Sequence, residues 1–304
     1  VEISKDKFRH IGLNEQKSEE IVRPSMSYWQ DVWRRLKANK IAMTSLFFLI
    51  GLSIMAIIGP MLTPYSYNVN NLSFTNQPPS AEHWFGTDSL GRDMWARVWV
   101  GARVSLAIGI VAAFFQTVIG VVVGGIAGFY GGRIDMIIMR FIDVMISIPY
   151  LIFVILIMVI MGAGIIPIVI AIAITGWLEM ARLVRGQIMQ LKNEEFIISA
   201  ISLGASSFRL IFKHLIPNTL GVIIVSLTMA IPAAIFSEAF LSFIGIGVKP
   251  PMTSWGQLAN LGTSVMQIHP YQLLIPAFFI SITMLSLQLL GDGLRDALDP
   301  KLRK

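Results

Sequence analysis

Residues Glu194–Pro217 read EEFIISAISLGASSFRLIFKHLIP. The stretch is polar enough to stand in water, yet long apolar runs flank it on both sides. It divides into two short helices about a glycine. Asn193 is placed to cap the first, with Glu194 and Glu195 in the first turn, where the helix dipole favours negative charge. Gly204 supplies the left-handed residue that ends it. Ser206 or Ser207 caps the second, which carries Phe208, Ile211, Phe212 and Leu215 at helical spacing, and Pro217 closes it. A helix pair held between two apolar runs is shaped to dock with something outside a membrane.

Composition sets the class. Of 304 residues, 55% are hydrophobic and 14% charged, far too apolar for a soluble domain of this size. There is no cysteine, which excludes disulfides, thiolate catalysis and Cys-based metal sites. His10, His83, His214 and His269 are scattered without ligand spacing, so no metal site is expected. The first apolar run follows some 40 polar residues, so a cleavable signal peptide is not expected.

Six spans are predicted, at about residues 41–59, 104–129, 134–161, 165–180, 219–244 and 271–290, each close to the roughly 20 residues a crossing needs. Ahead of them, residues 1–40 form a polar tail whose first 26 residues read as loosely ordered. The capping-box pattern Ser27-Tyr-Trp-Gln30 opens a helix with Trp29, Val32, Trp33 and Leu36 on one face and Arg34, Arg35, Lys37 and Lys40 around the rest. It fits either a membrane surface or a partner subunit. In the second span Gly120, Gly124 and Gly128 recur every four residues, which lets another helix come close. Pro149 is expected to kink the third span. Residues 182–217 form the polar loop already quoted, and 291–304 a polar tail.

Charge gives the orientation. With the N-terminus in the cytoplasm, 20 of the 24 Lys and Arg residues fall inside and four outside, in the sense of the positive-inside rule. The net charge of +6 thus reports topology and anionic lipid rather than nucleic acid. Both termini and the 182–217 loop then face the cytoplasm.

Charges within the spans lie towards their ends. Asp143 is expected to pair with Arg140, and Glu179 with Arg182, each one turn apart. Glu238 has no local partner, and either caps a helix break near Gly245 or faces a pore; Gln116 is the main polar group midway along the second span. These two are the candidate pore or gate residues. No chain of carboxylates crosses the bilayer, and no inverted repeat of broken helices marks an ion-coupled carrier. Six spans without an internal repeat fit half of a pore completed by a second subunit. No phosphate loop or nucleophile motif is present, so no catalytic residue is assigned and any ATP must bind on another chain.

The residues then resemble a family, the inner-membrane permeases of ABC importers for peptides, of the oligopeptide/dipeptide C-subunit type. Its signature is Glu-Ala-Ala-x-x-x-Gly, nine residues, then Ile-x-Leu-Pro. Ala200, Gly204 and Pro217 match; Ile198 stands where the glutamate would be and Ser199 at the first alanine. His83-Trp-Phe-Gly-Thr-Asp-Ser-Leu-Gly-Arg-Asp93 looks like the outer-loop motif, with Gly86, Thr87, Asp88, Gly91, Arg92 and Asp93 as its core. Gly128-Phe-Tyr-Gly-Gly132, Ser237-Glu-Ala-Phe-Leu-Ser-Phe-Ile-Gly245 and Gly291-Asp-Gly-Leu-Arg-Asp-Ala-Leu-Asp-Pro300 extend the likeness to roughly residues 30–304.

The resemblance implies an all-α polytopic protein of the type I importer (MetI-like) permease fold in the bacterial cell membrane. It implies a homologous second permease, two ATP-binding subunits that hold ATP and Mg²⁺, an extracellular substrate-binding protein and a peptide substrate, with no cofactor on this chain. The coupling residues would be Glu194, Glu195, Phe196, Ala200, Leu203, Gly204, Ala205, Ser206 and Pro217. A nickel or metal-chelate importer permease of the same family, and an ion-coupled secondary transporter, are the alternatives.

Overall fold

The computed structural model describes residues 27–299, so the expectations for residues 1–26 and for the last five lie outside the described residues. The described residues are helical apart from turns and one isolated bridge between Thr87 and Asp93. The helices are α1 (Tyr28–Ala38), α2 (Lys40–Ile58), α3 (Met94–Tyr130), α4 (Gly132–Ser147), α5 (Tyr150–Met161), α6 (Ile165–Leu191), α7 (Glu195–Ser202), α8 (Ser207–Arg209), α9 (Ile216–Phe243), α10 (Trp255–Thr263) and α11 (Tyr271–Leu298).

Five stretches are long and apolar enough to cross a membrane, and α4 with α5, bent by 86°, provides a sixth crossing if taken as one broken span. The expected kink at Pro149 is thus a break. Ile148 ends α4 with extended backbone (ψ 124°), as the ring of a following proline demands, and Pro149 stands ahead of α5.

α3 is the central helix, and its closest neighbour is α6. The glycine stripe makes this possible. A Cβ on Gly120 would strike Met180, on Gly124 the backbone of Ala181, and on Gly128 the carbonyl of Arg185 and the side chain of Ile188. Only hydrogen fits where the two backbones touch. On one side of this pair Val104, Ile108 and Ala112 of α3 meet Val154 and Met158 of α5, Ile168 and Ala171 of α6, and Ala234 and Leu241 of α9.

Several helices overrun their expected ends. α3 begins at Met94, ten residues early, because Asp93 caps it by accepting from the Ala96 amide at 2.8 Å. Arg97 and Arg103, which read as loop charges, lie in this added length. Arg97 donates to the Tyr67 carbonyl at 3.1 Å, and Arg103 closes the end of α2 through the carbonyls of Ala56 and Ile57 at 2.6 and 2.9 Å. α6 continues to Leu191 and α11 to Leu298, so the polar tail expected from residue 291 is mostly helix. Gly291 and Gly293 are contact points, against Met229 and Ala42 respectively.

The Ser27 capping box of α1 is formed, at 3.4 Å to the Gln30 amide and 3.0 Å in return. Val32 and Leu36 bury against Ala297 and Leu298, whereas Trp29 and Trp33 remain 55% and 47% exposed. The four expected face residues therefore split between an internal contact and an open side.

Candidate functional site

A cavity of about 660 Å³ opens between α3, the α4–α5 break, α6 and α9. The α6 side is a helical stripe of Ile172, Thr175, Gly176, Glu179 and Leu183; the α9 side is Ser226, Met229, Ala230, Ala233 and Ser237. α3 contributes Gln116. Small residues on α9 keep the wall low, while hydroxyls, one amide and one carboxylate give it polar points. Such a mixture suits a solute rather than lipid.

Gln116 is 8% exposed and packs against Gly176, where a side chain would occupy the amide's own position. Glu238, the other candidate from sequence, takes a different place. It is 0% exposed. Ser105 of α3 and Ser242 of α9 each donate to it at 2.7 Å. Ser105 also accepts from the Trp255 amide at 3.3 Å, and Ser242 from the Val248 amide at 3.2 Å. Glu238 therefore neither lines the cavity nor caps Gly245 directly. It binds α3, α9 and the segment leading to α10 together. Sequence could not pair it because its Ser105 partner lies 133 residues away.

The segment Glu194–Pro217 forms at the opposite end from Glu238. α7 is the expected first helix, but Asn193 does not cap it. The Asn193 side chain turns back to the Met189 carbonyl at 3.4 Å, and Glu194, with extended backbone, starts the helix without a side-chain cap. Gly204 ends it with φ +79°. The amides of Gly204 and Ala205 return to the carbonyls of Ile201 and Ala200 at 2.9 and 3.1 Å, the closure that a left-handed residue permits. Ser206, of the two serines considered, caps α8 through the Arg209 amide at 3.4 Å.

Pro217 does not close this second helix. A wider π-helical turn over Leu210–Leu215 carries α8 straight into α9, with Pro217 in the first turn of α9. Within a continuous helix the proline ring would meet the carbonyl four residues back, and the wider turn ahead of Pro217 relieves that crowding. Ser207–Phe243 is thereby one helical run of 37 residues.

One face of the pair is anchored. Ile197, Leu210, Ile211 and Leu215 bury against Phe129 of α3, Val184 and Ile188 of α6 and Ile223 of α9; Ala200 and Ala205 pack beside them. The other face is open. Glu194, Glu195 and Phe196 are exposed, Leu203 is 88% exposed, and the rings of Phe208 and Phe212 lie 4.6 Å apart at a tilt of 36° in the open.

The residues from Gly86 to Asp93 build a closed turn at the other end. Asp88 accepts from the amides of Leu90 and Arg92 at 2.9 and 3.0 Å and pairs with the Arg92 guanidinium at 2.7 Å. Thr87 accepts from the Gln77 amide at 2.8 Å and donates to the Phe74 carbonyl. Asp93 meets His83 at 2.8 Å while capping α3. Gly86 and Gly91 take positive φ, both +71°. Gln272 of α11 donates to the Thr87 carbonyl at 3.1 Å, which fixes the turn to the helical body. Near it α10 is capped by Ser254 through the Gln257 amide at 3.2 Å, and the buried Trp255 indole donates to the Val98 carbonyl at 3.0 Å.

Of the two expected ion pairs, Asp143 with Arg140 is formed and Glu179 with Arg182 is not. Asp143 lies 3.9 Å from Arg140 but 2.5 Å from Arg182 of α6. Arg185 pairs with Asp135. Two bridges thus tie α4 to α6, and Arg182 is drawn away from Glu179. For Arg182, same-helix spacing was a poor guide because the inter-helix partner is closer.

The family comparison follows from this architecture. Residues 120–304 match the family described as binding-protein-dependent transport system inner membrane component, and residues 27–79 match the N-terminal TM domain of oligopeptide transport permease C. The chain belongs to the binding-protein-dependent transport permeases. It is 54% identical over 296 residues to the dipeptide transport system permease protein DppC of Bacillus subtilis, covering 96% of this chain and 92% of that one. It is 48% identical over 302 residues to the oligopeptide transport system permease protein OppC of the same organism, covering 99% of both. The glutathione transport system permease protein GsiD of Escherichia coli O6:K15:H31 is 43% identical, covering 90% of this chain and 91% of its own.

Among solved structures, the MetNI methionine ABC transporter in an inward-facing conformation aligns with a TM-score of 0.52 at 20% identity, covering 66% of this chain and 97% of that one. This likeness gives the permease the MetI-like, type I importer fold. The permease is a multi-pass component of the inner membrane.

Proposed function

We propose that this chain is one half of the membrane pathway of an ATP-driven importer for dipeptides or oligopeptides. The observation that carries this reading is the 54% identity, over nearly the whole chain, to a dipeptide permease. The cavity beside Gln116 would be this subunit's share of the pathway, completed by a homologous second permease.

The segment Glu194–Pro217 would be the coupling element, facing the cytoplasm and seated on one of two ATP-binding subunits that hold ATP and Mg²⁺. Its two faces support this. The buried side of Ile197 and Leu215 joins it to the spans, and the open side of Phe196, Leu203, Phe208 and Phe212 is free for a partner. The turn at Gly86–Asp93 would face outward, towards a substrate-binding protein. Transport would run by alternating access. ATP binding favours one arrangement of the two ATPases, and the coupling segments pass that preference to the spans. The shift is limited by how much better ATP binds one state than the other.

Affinity purification in detergent tests the assembly. A second permease and two ATPases in the eluate, with ATPase activity, are expected; a solitary chain without that activity would overturn the reading. A nickel or metal-chelate cargo would change the substrate and leave the assembly as proposed.

A further inference from the structure

We propose that Glu179 and Gln116 form a subsite for the terminal ammonium group of the peptide in transit. This rests on the reading of the cavity as the transport pathway.

Glu179 is the one formally charged residue among those lining the cavity. It follows directly on the apolar run of α6, at the inner end of the predicted span, and the helix continues for three further turns beyond it. The cation one turn on, Arg182, is held by Asp143, and Arg185 by Asp135. Among the described residues Glu179 therefore has no ion-pair partner, and it is open to the cavity. A carboxylate that lines a cavity without an ion-pair partner is placed to receive a cation from a solute.

Gln116 provides the second observation. Its side chain is more than nine-tenths buried, lines the same cavity and has no hydrogen-bond partner among the described residues. Gly176, on the same stripe of α6 as Glu179, leaves room for its amide. An amide and a carboxylate on facing helices offer an acceptor to a cation and a donor–acceptor pair to the adjoining peptide bond. A free peptide presents those two groups at its amino end. No basic residue lines this wall, so the peptide's carboxylate end is not attracted to it. The cavity of about 660 Å³ has the size of a small-molecule pocket.

The test uses the complete transporter in proteoliposomes, with the binding protein fully loaded in each case. One substrate is a dipeptide; the other is its desamino analogue, which lacks only the terminal amine. Glu179→Gln should lower dipeptide uptake about tenfold, the loss of one charge-assisted hydrogen bond, and leave uptake of the analogue unchanged. Glu179→Asp should restore part of the loss. Equal loss for both substrates, or loss of the second permease on purification, would show that Glu179 serves assembly and overturn the subsite. No loss for either would do the same. If the unmodified complex takes up no peptide with ATP, the pathway reading itself fails, which is a separate result.

Discussion

Ser105 on α3 donates to Glu238 on α9 at 2.7 Å, and both side chains are fully buried. This contact sits at the end of the molecule remote from Glu194–Pro217 and gathers Ser242, Trp255 and Val248 around one carboxylate. Glu238→Ala leaves two buried hydroxyls without an acceptor. The expected cost is about 3 kcal/mol, read as a fall in thermal unfolding temperature of the purified chain. Glu238→Gln keeps one acceptor oxygen, and its loss should be smaller. Equal stability of Glu238→Ala and the unmodified protein would contradict the role of this carboxylate as a structural hub.

Gly124 and Gly51 are both glycines in apolar helices, but only one has a neighbour. A side chain on Gly124 meets the Ala181 backbone, and one on Gly51 meets nothing within 4 Å. Gly124→Val should destabilise the protein by about 3 kcal/mol or prevent its accumulation, since backbone cannot step aside as a side chain can. Gly51→Val should be near neutral. Quantifying detergent-extracted, monodisperse protein for each variant checks the contrast.

Gly204 has a φ of +79° and no atom within 4 Å of the position of a Cβ. Substitution there therefore costs conformation rather than packing, on the order of 1 kcal/mol for alanine and more for valine. Gly204→Val should leave the spans folded and weaken association with the ATPases. Normal co-purification and transport by this variant would remove Gly204 from the coupling element.

Sidedness has its own check. Ser89 and Leu203 are both exposed, at opposite ends of the helical body. A cysteine at Ser89 should react with an impermeant maleimide on intact cells. One at Leu203 should react only after permeabilisation. The reverse pattern would invert the topology.

Much of this was legible in the sequence because the deciding signals are local. The glycine stripe of α3, the Ser27 cap and the left-handed turn at Gly204 each depend on a few neighbouring residues, and each formed as read. What sequence missed depends on distant chain. Asp143 keeps Arg140 at 3.9 Å and also takes Arg182 at 2.5 Å, across 39 residues, and Glu179 is left without the partner expected for it. Pro149 broke its span outright, and Pro217 failed to break its helix because a wide turn precedes it. Hydropathy marks where a helix meets lipid, not where it ends, so α3, α6 and α11 all run past their apolar windows.

The most direct test of the importer reading is initial peptide uptake by proteoliposomes holding this chain with whatever co-purifies. The account predicts uptake that requires ATP inside, loaded binding protein outside and an intact Gly204, and that is indifferent to dissipation of proton and sodium gradients. Uptake by this chain alone, driven by an ion gradient and insensitive to Gly204→Val, would contradict it and make Glu194–Pro217 an ordinary connection.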